Sequence, residues 1–295
     1  MTKKHLFTST LIAAVLSISA FGQQWRPVSG SRQGNISGMA LIEHTKQRSV
    51  FLVVHDNKKK EQIHATLLTV NGDDSPTYTP LRWIGEDIPV DLEAASSIPG
   101  VSDQFMLFTA AGRVYHVKLD PKAGQIEIIK SFDVPSIPKD ADFEGFALQK
   151  IDDTLVAVWA DRGLTERPAT LFSARFDITN GKFSDVKWAT FRVPYPAADV
   201  RHISDVKVDT SGGVFVTSAS DPGNDGPFSS VMYFAGVIRQ TTDKSFDFVQ
   251  SKELTRIFRF DYHKVEAFDL IPGADGGIAF GTDDENLGAA LLITY

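Results

Sequence analysis

The sequence predicts an all-β protein, a five-bladed β-propeller, from three observations. One short motif recurs five times: Asn35-Ile36-Ser37-Gly38-Met39-Ala40-Leu41, Asp91-Leu92-Glu93-Ala94-Ala95-Ser96-Ser97, Asp142-Phe143-Glu144-Gly145-Phe146-Ala147-Leu148, His202-Ile203-Ser204-Asp205-Val206-Lys207-Val208 and Lys264-Val265-Glu266-Ala267-Phe268-Asp269-Leu270. Each copy sets a Ser or Glu after an apolar residue, follows it with a small or acidic residue, and continues as an alternating apolar run. The Ser/Glu positions recur at nearly even intervals, each the length of a blade built from several short strands. The last unit has room for only three strands, while the polar segment 25–29 has no blade of its own. Closing the ring with that segment as the fourth strand of the C-terminal blade removes the sheet edge a propeller cannot leave open.

Strands follow from period-2 patterning between turn signals. Blade one reads as 36–42, 50–56, 63–70 and 78–84, with Asn71-Gly72 and the basic run Lys58-Lys59-Lys60 at solvated turns. Blade two starts at Leu92 and continues through 104–108, 114–119 and 126–132. Blade three starts at Phe143, with 154–160, 169–176 and 188–193, where Trp188 and Tyr195 are expected to pack between blades. Blade four starts at Ile203, with 214–218, 231–237 and a last strand within 246–260; blade five starts at Val265, with 277–281 and 289–295.

The first 22 residues are a different object. Lys3-Lys4, an apolar stretch over 11–20 and Ala20-Phe21-Gly22 have the order of a secretory signal peptide, leaving one propeller domain over 23–295. No stretch has the length of a membrane span. The expected location is the periplasm or the medium. With no cysteine, the chain offers no disulfide, thiolate nucleophile or Cys-ligated zinc. A net charge of −7 with no Lys/Arg stripe argues against nucleic acid as a partner. The chain is expected to be a monomer.

The first strand of each blade lines the central channel, so Ser37, Glu93, Glu144, Ser204 and Glu266 are expected to converge as a ring. Three carboxylates in a narrow channel repel one another, which requires protonation of some or a neutralising cation. Hydroxyl and carboxylate oxygens are hard ligands, suited to Ca²⁺, less to Mg²⁺ or Mn²⁺, and poorly to Zn²⁺. The competing reading is that the ring only hydrogen-bonds neighbouring backbone and ties blades together.

A second register of acids ends the second strands: Asp56, Asp161, Asp221 and Asp283, each at nearly the same offset after the ring residue of its blade. These positions are expected to gather around one face of the ring; any one of them alone reads rather as ordinary Asp turn chemistry. Asp56, Asp161 and Asp283 are candidate catalytic bases, with Arg162 as an anion holder; Arg113 and His55 are further candidates, and His202 and His263 could back the ring ligands.

The order Ser37, Glu93, Glu144, Ser204, Glu266 on five innermost strands resembles the calcium-activated nucleotidase (apyrase) family. That resemblance implies a five-bladed propeller with a channel Ca²⁺ held by those residues. The Asp-Phe-Glu-Gly-Phe-Ala pattern at 142–147 is also similar to blade starts in secreted propellers of the esterase-like phytase family. Together they imply a Ca²⁺-dependent hydrolase of phosphoric esters or anhydrides acting on a small anionic substrate. The alternative is a non-catalytic propeller binding an extracytoplasmic protein or glycan. A glycoside hydrolase on the same fold would need a pair of carboxylates, a role the ring acids could fill.

Overall fold

The structure is a computed structural model that describes residues 24–72, 74–135, 137–274 and 276–294; the expected signal peptide lies outside the described residues. Among the described residues, 21 strands form five sheets. The chain enters through β1 (Arg26–Ser29) and builds blade one from β2 (Gly38–His44), β3 (Arg48–Val54), β4 (Ala65–Asn71) and β5 (Thr77–Pro80). Blade two holds β6 (Arg82–Ile84), β7 (Leu92–Ile98), β8 (Val101–Thr109), β9 (Arg113–Asp120) and β10 (Gln125–Asp133). Blade three is β11 (Phe143–Ile151), β12 (Thr154–Asp161), β13 (Ala169–Asp177) and β14 (Lys182–Phe191). Blade four is β15 (Val200–Val208), β16 (Gly213–Ser220), β17 (Ser229–Gln240) and β18 (Phe246–Asp261). Blade five comprises β19 (Val265–Ile271), β20 (Gly277–Thr282) and β21 (Ala289–Thr294), and β1 completes it by pairing antiparallel with β21. The innermost strands β2, β7, β11, β15 and β19 pack each against the next, and β19 returns to β2, so the ring is closed. No helix among the described residues is long and apolar enough to cross a membrane.

Two expected strands are corrected. The run 78–84 is not one strand: β5 ends at Pro80, Leu81 is buried between the first two blades, and β6 pairs in parallel with β10 of blade two. The Leu81 N–H still donates to the Ala65 carbonyl of blade one at 2.9 Å, and the next N–H, that of Arg82, donates to the Gly124 carbonyl of blade two at 2.9 Å, so the chain changes sheets between these two residues. The outer strand of blade three covers Lys182–Phe191 rather than 188–193. Trp188 on it is 67% exposed, so it does not pack between blades; it faces outward on an edge strand, whereas Tyr195 lies against the core and its ring faces Arg259 at 4.6 Å.

Each position of the repeated motif has a physical reason. The apolar residue before the ring residue is fully buried in every blade: Ile36, Leu92, Phe143, Ile203 and Val265 are each 0% exposed. The backbone there is stitched to the preceding blade. Ile36 N–H donates to the Thr282 carbonyl at 3.0 Å, Phe143 N–H to Ala110 at 3.1 Å and Ile203 N–H to Arg162 at 3.2 Å. The residue after the ring residue is small because the neighbouring blade lies against it. A Cβ on Gly38 would stand 2.6 Å from Ala94 Cα, and one on Gly145 would stand 2.9 Å from the Val206 nitrogen. Blade four breaks the rule with Asp205, whose buried carboxylate takes the Lys207 ammonium at 2.9 Å and the Phe268 N–H of the next blade at 3.1 Å.

Candidate active site

Three of the five ring residues, Glu93, Glu144 and Glu266, are β-bulges. In β7 the register moves from Leu92↔Thr109 to Ala94↔Phe108, leaving Glu93 as the extra residue. Glu144 is the extra residue between Phe143↔Asp161 and Gly145↔Ala160, and Glu266 between Val265↔Thr282 and Ala267↔Gly281. In β15 the irregular stretch between Arg201↔Ala219 and Asp205↔Thr217 contains Ser204. Ser37 immediately precedes the first β2 pair, Gly38↔Val54. A bulge kinks the strand and re-aims one side chain, so the repeat is in essence a repeated kink with a polar residue on it.

Two of the three ring glutamates, Glu144 and Glu266, meet cations: Arg201, Lys264 and Arg162. Arg201 Nη1 lies 2.6 Å from Glu266 Oε1 and 3.3 Å from Glu144 Oε1, so one nitrogen touches both carboxyl groups. Its Nη2 reaches Asp221 Oδ2 at 2.5 Å. Lys264, 0% exposed, places Nζ 3.4 Å from Glu266, 3.5 Å from Asp283 and 2.5 Å from Glu285. Arg162 bonds Glu144 at 3.1 Å and Asp142 at 2.7 Å. Sequence reasoning missed Arg201 and Lys264. Their signal was present: Lys264 stands where three other copies of the motif carry Asn or Asp, and Arg201 immediately precedes the fourth copy.

The second register divides. Asp56 lies at the ring, its N–H donating to Ser37 Oγ at 3.1 Å, and Asp221 joins it through Arg201. Asp283 sits behind Lys264 and accepts from the Asn35 side chain. Asp161 is buried in its own blade, accepting the Asp142 N–H at 3.0 Å and pairing with Arg167. Arg113 bonds Asp133 and Ser131 across its hairpin. His55 is enclosed between the Asn35 carbonyl at 2.6 Å and Thr66 at 2.8 Å. His263 bonds Asp284 at 2.7 Å, and His202 accepts the Val193 N–H at 3.3 Å. Ser204 is fully buried, its hydroxyl without a hydrogen-bond partner among the described residues.

Burial and neighbouring charges shift the acids around the ring in different directions. Burial, then the charges of Glu144, Asp56 and Glu266, pushes Glu93 well above the carboxylate range. Burial and Glu266 also raise Asp56, which keeps some contact with solvent. Burial drives Glu144 up to about 8 against the pull of Arg201 and Arg162. Glu266 goes the other way: burial would raise it, but Lys264 and Arg201 together hold it below its usual value. His55, desolvated, falls to about 4 and is neutral at physiological pH.

Calcium does not fit Glu144 and Glu266 as they stand. The position between their oxygens is taken by Arg201 Nη1, and Lys264 adds a second positive charge at Glu266. Among the described residues, no three His, Asp or Glu side chains converge closely enough to hold one ion.

The opposite end of the channel is a separate space. Lys207 of β15 crosses to the Ala95 carbonyl of β7 at 3.2 Å. Beyond it opens a cavity of about 690 Å³ lined by Leu41, Leu148, Leu270, Lys207 and Asp269 among others. Lys207 is engaged by Asp205 and Asp269 accepts the Leu41 N–H at 2.6 Å, so the charges there serve to join blades.

No protein-family model matches this sequence, and no curated protein matches it. The fold has clear likenesses among solved structures. The GH43 endo-arabinanase from Bacillus licheniformis superposes with a TM-score of 0.51 over 92% of this chain and 96% of that one, at 10% identity. A GH43 β-1,3-galactosidase, solved with galactodeoxynojirimycin, gives 0.50 over 92% and 93% at 9% identity. This is a likeness of fold. The five-bladed propeller stands, and these similar structures are glycosidase propellers rather than nucleotidase or phytase propellers.

Proposed function

We propose that this chain is an exported, carbohydrate-active propeller hydrolase working at the Glu93–Glu266 chamber on a glycan. One observation carries the reading: at the same motif position, burial and neighbouring acids push Glu93 well above the carboxylate range, whereas Lys264 at 3.4 Å and Arg201 at 2.6 Å hold Glu266 below its usual value. Cleaving a glycosidic bond requires that combination, a proton donor for the leaving oxygen and a carboxylate across the sugar. Glu93 is the proton donor, Asp56 shares its proton pool at the solvent side, and Arg201 with Lys264 keeps Glu266 charged. The GH43 likeness supports a saccharide substrate at the level of fold.

A phosphoric ester or anhydride is the weaker substrate. Among the described residues, Arg32, Lys58, Arg162, Arg201 and Lys264 each already pair with a carboxylate around this chamber, so a phosphate would meet excess acid and find none of these cations free. A second reading has its own support: Glu144 and Glu266 are 3% and 2% exposed, so a glycan could dock on the rim formed by Asp56, Asp142, Arg162 and Asp221 without being cleaved.

The test incubates purified wild type, Glu93→Gln and Glu266→Gln with arabino- and galacto-oligosaccharides and with p-nitrophenyl phosphate, reading new reducing ends and released nitrophenol. The expected result is sugar release by wild type and a loss of about 100-fold or more in both variants. Glycan binding by calorimetry without turnover would favour the rim reading. Phosphate release that survives Glu93→Gln would sink both.

A further inference from the structure

We propose that Arg201 and Lys264 form a built-in substitute for a channel cation, so that the blades are locked around their glutamates without metal. A divalent ion in such a ring has two tasks: to bring two positive charges among mutually repelling carboxylates, and to join blades around the axis. The two side chains accomplish both. One guanidinium from blade four binds Glu144 of blade three at 3.3 Å, Glu266 of blade five at 2.6 Å and Asp221 of its own blade at 2.5 Å. One ammonium, fully enclosed, gathers Glu266, Asp283 and Glu285 within 3.5 Å. The planar fork of arginine lets Nη1 serve Glu144 and Glu266 while Nη2 reaches Asp221, a division between two nitrogens that a single ammonium in its place lacks.

The sequence reaches this arrangement by two local changes. Lys264 occupies a motif position that is Asn35, Asp91 or Asp142 in three other blades, and Arg201 enters on the strand whose ring residue is a serine, where no carboxylate opposes it. A tethered cation also differs from an ion in its dependence on conditions. It is present at any free calcium concentration, chelators cannot remove it, and it contributes no ligand-dependent rise in stability. Removing Arg201 would leave Glu144, Glu266 and Asp221 as hard oxygen donors around the space its guanidinium had filled, a set suited to Ca²⁺.

Thermal unfolding of the full chain in EDTA, and again with Ca²⁺ restored in millimolar excess, tests this together with equilibrium dialysis of wild type against Ca²⁺. Wild type should show the same midpoint in both conditions and bind no calcium at the ring. Arg201→Ala should unfold several degrees earlier in EDTA and recover part of that loss with Ca²⁺. A wild-type midpoint that rises with Ca²⁺, or one ion bound per chain and lost in Glu266→Gln, overturns the proposal; so does a folded Arg201→Ala indifferent to Ca²⁺. Should Arg201→Ala not fold, the wild-type melt and dialysis decide alone. Arg201→Lys, which retains one charge but not the fork, should unfold earlier than wild type and remain indifferent to Ca²⁺.

Discussion

Lys207 of the fourth blade sets its ammonium 3.2 Å from the carbonyl of Ala95 in the second, bridging two blades that are not neighbours in the ring. The same nitrogen lies 2.9 Å from Asp205, whose carboxyl burial pushes up to about 7 even with Lys207 beside it. Lys207→Met leaves that acid buried without its partner and should lower unfolding free energy by about 3 kcal/mol. Urea unfolding of Lys207→Met, Asp205→Ala and the double variant checks this. If the double variant is not less destabilised than the sum of the single ones, the two residues are not a coupled pair.

Gly145 is fixed by its neighbour rather than by its backbone angles. A methyl group there would meet Val206 Cγ1 at 2.8 Å and its nitrogen at 2.9 Å, and the nitrogen cannot move without shifting β15. Gly145→Ala should therefore destabilise by about 1–3 kcal/mol. Gly30→Ala, with nothing within 4 Å of the new methyl, is the matched control and should be near neutral.

Stability should depend on pH with opposite slopes on two sides. Glu144 is raised by burial from 4.5 to about 8, so the folded state binds more protons in that window. Its contribution is fully present below the ordinary carboxylate value and is lost as pH rises toward about 8. His55 is lowered from 6.5 to about 4, so here the unfolded state binds more protons and stability falls as pH drops from 6.5 toward about 4. Midpoints measured between these limits should flatten on the alkaline side in Glu144→Gln and on the acid side in His55→Gln. An unchanged alkaline slope in Glu144→Gln would show that its carboxyl titrates normally.

Trp188 projects from an edge strand at 67% exposure. Trp188→Ser should change stability by no more than about 0.5 kcal/mol, as expected of a surface site. A loss several times larger in urea unfolding would mean that the ring is covered in solution.

Much of the architecture was legible because it rests on local periodicity repeated in every blade. The apolar, polar, small order at Phe143-Glu144-Gly145 reads directly as a buried plug, a kinked channel residue and a close contact with the next blade. The shortage of one strand in the last blade predicted the pairing of β1 with β21. The handover between Leu81 and Arg82 was missed because a buried Leu81 between two β-rich pieces looks the same in sequence whether or not the chain changes sheets. Among the site residues, Asp56 and Asp161 look equivalent along the chain but differ in register: Asp161 directly follows Ala160, the partner of Gly145, and is closed off by Arg167, whereas Asp56 lies two residues past Val54, the partner of Gly38, and sits beside Ser37.

By itself the sequence determined the fold class, the blade count, the closure of the ring and the repeated position at the start of each innermost strand, because each depends on spacing along one chain. The neutralisation of the ring was decided only in three dimensions. Arg201, Glu144 and Glu266 come from three different blades and meet because the sheets converge on one axis. Their acidities follow from that meeting: Glu93 and Glu266 have the same chemistry and the same motif position, yet burial and neighbouring acids raise Glu93 while Lys264 and Arg201 lower Glu266.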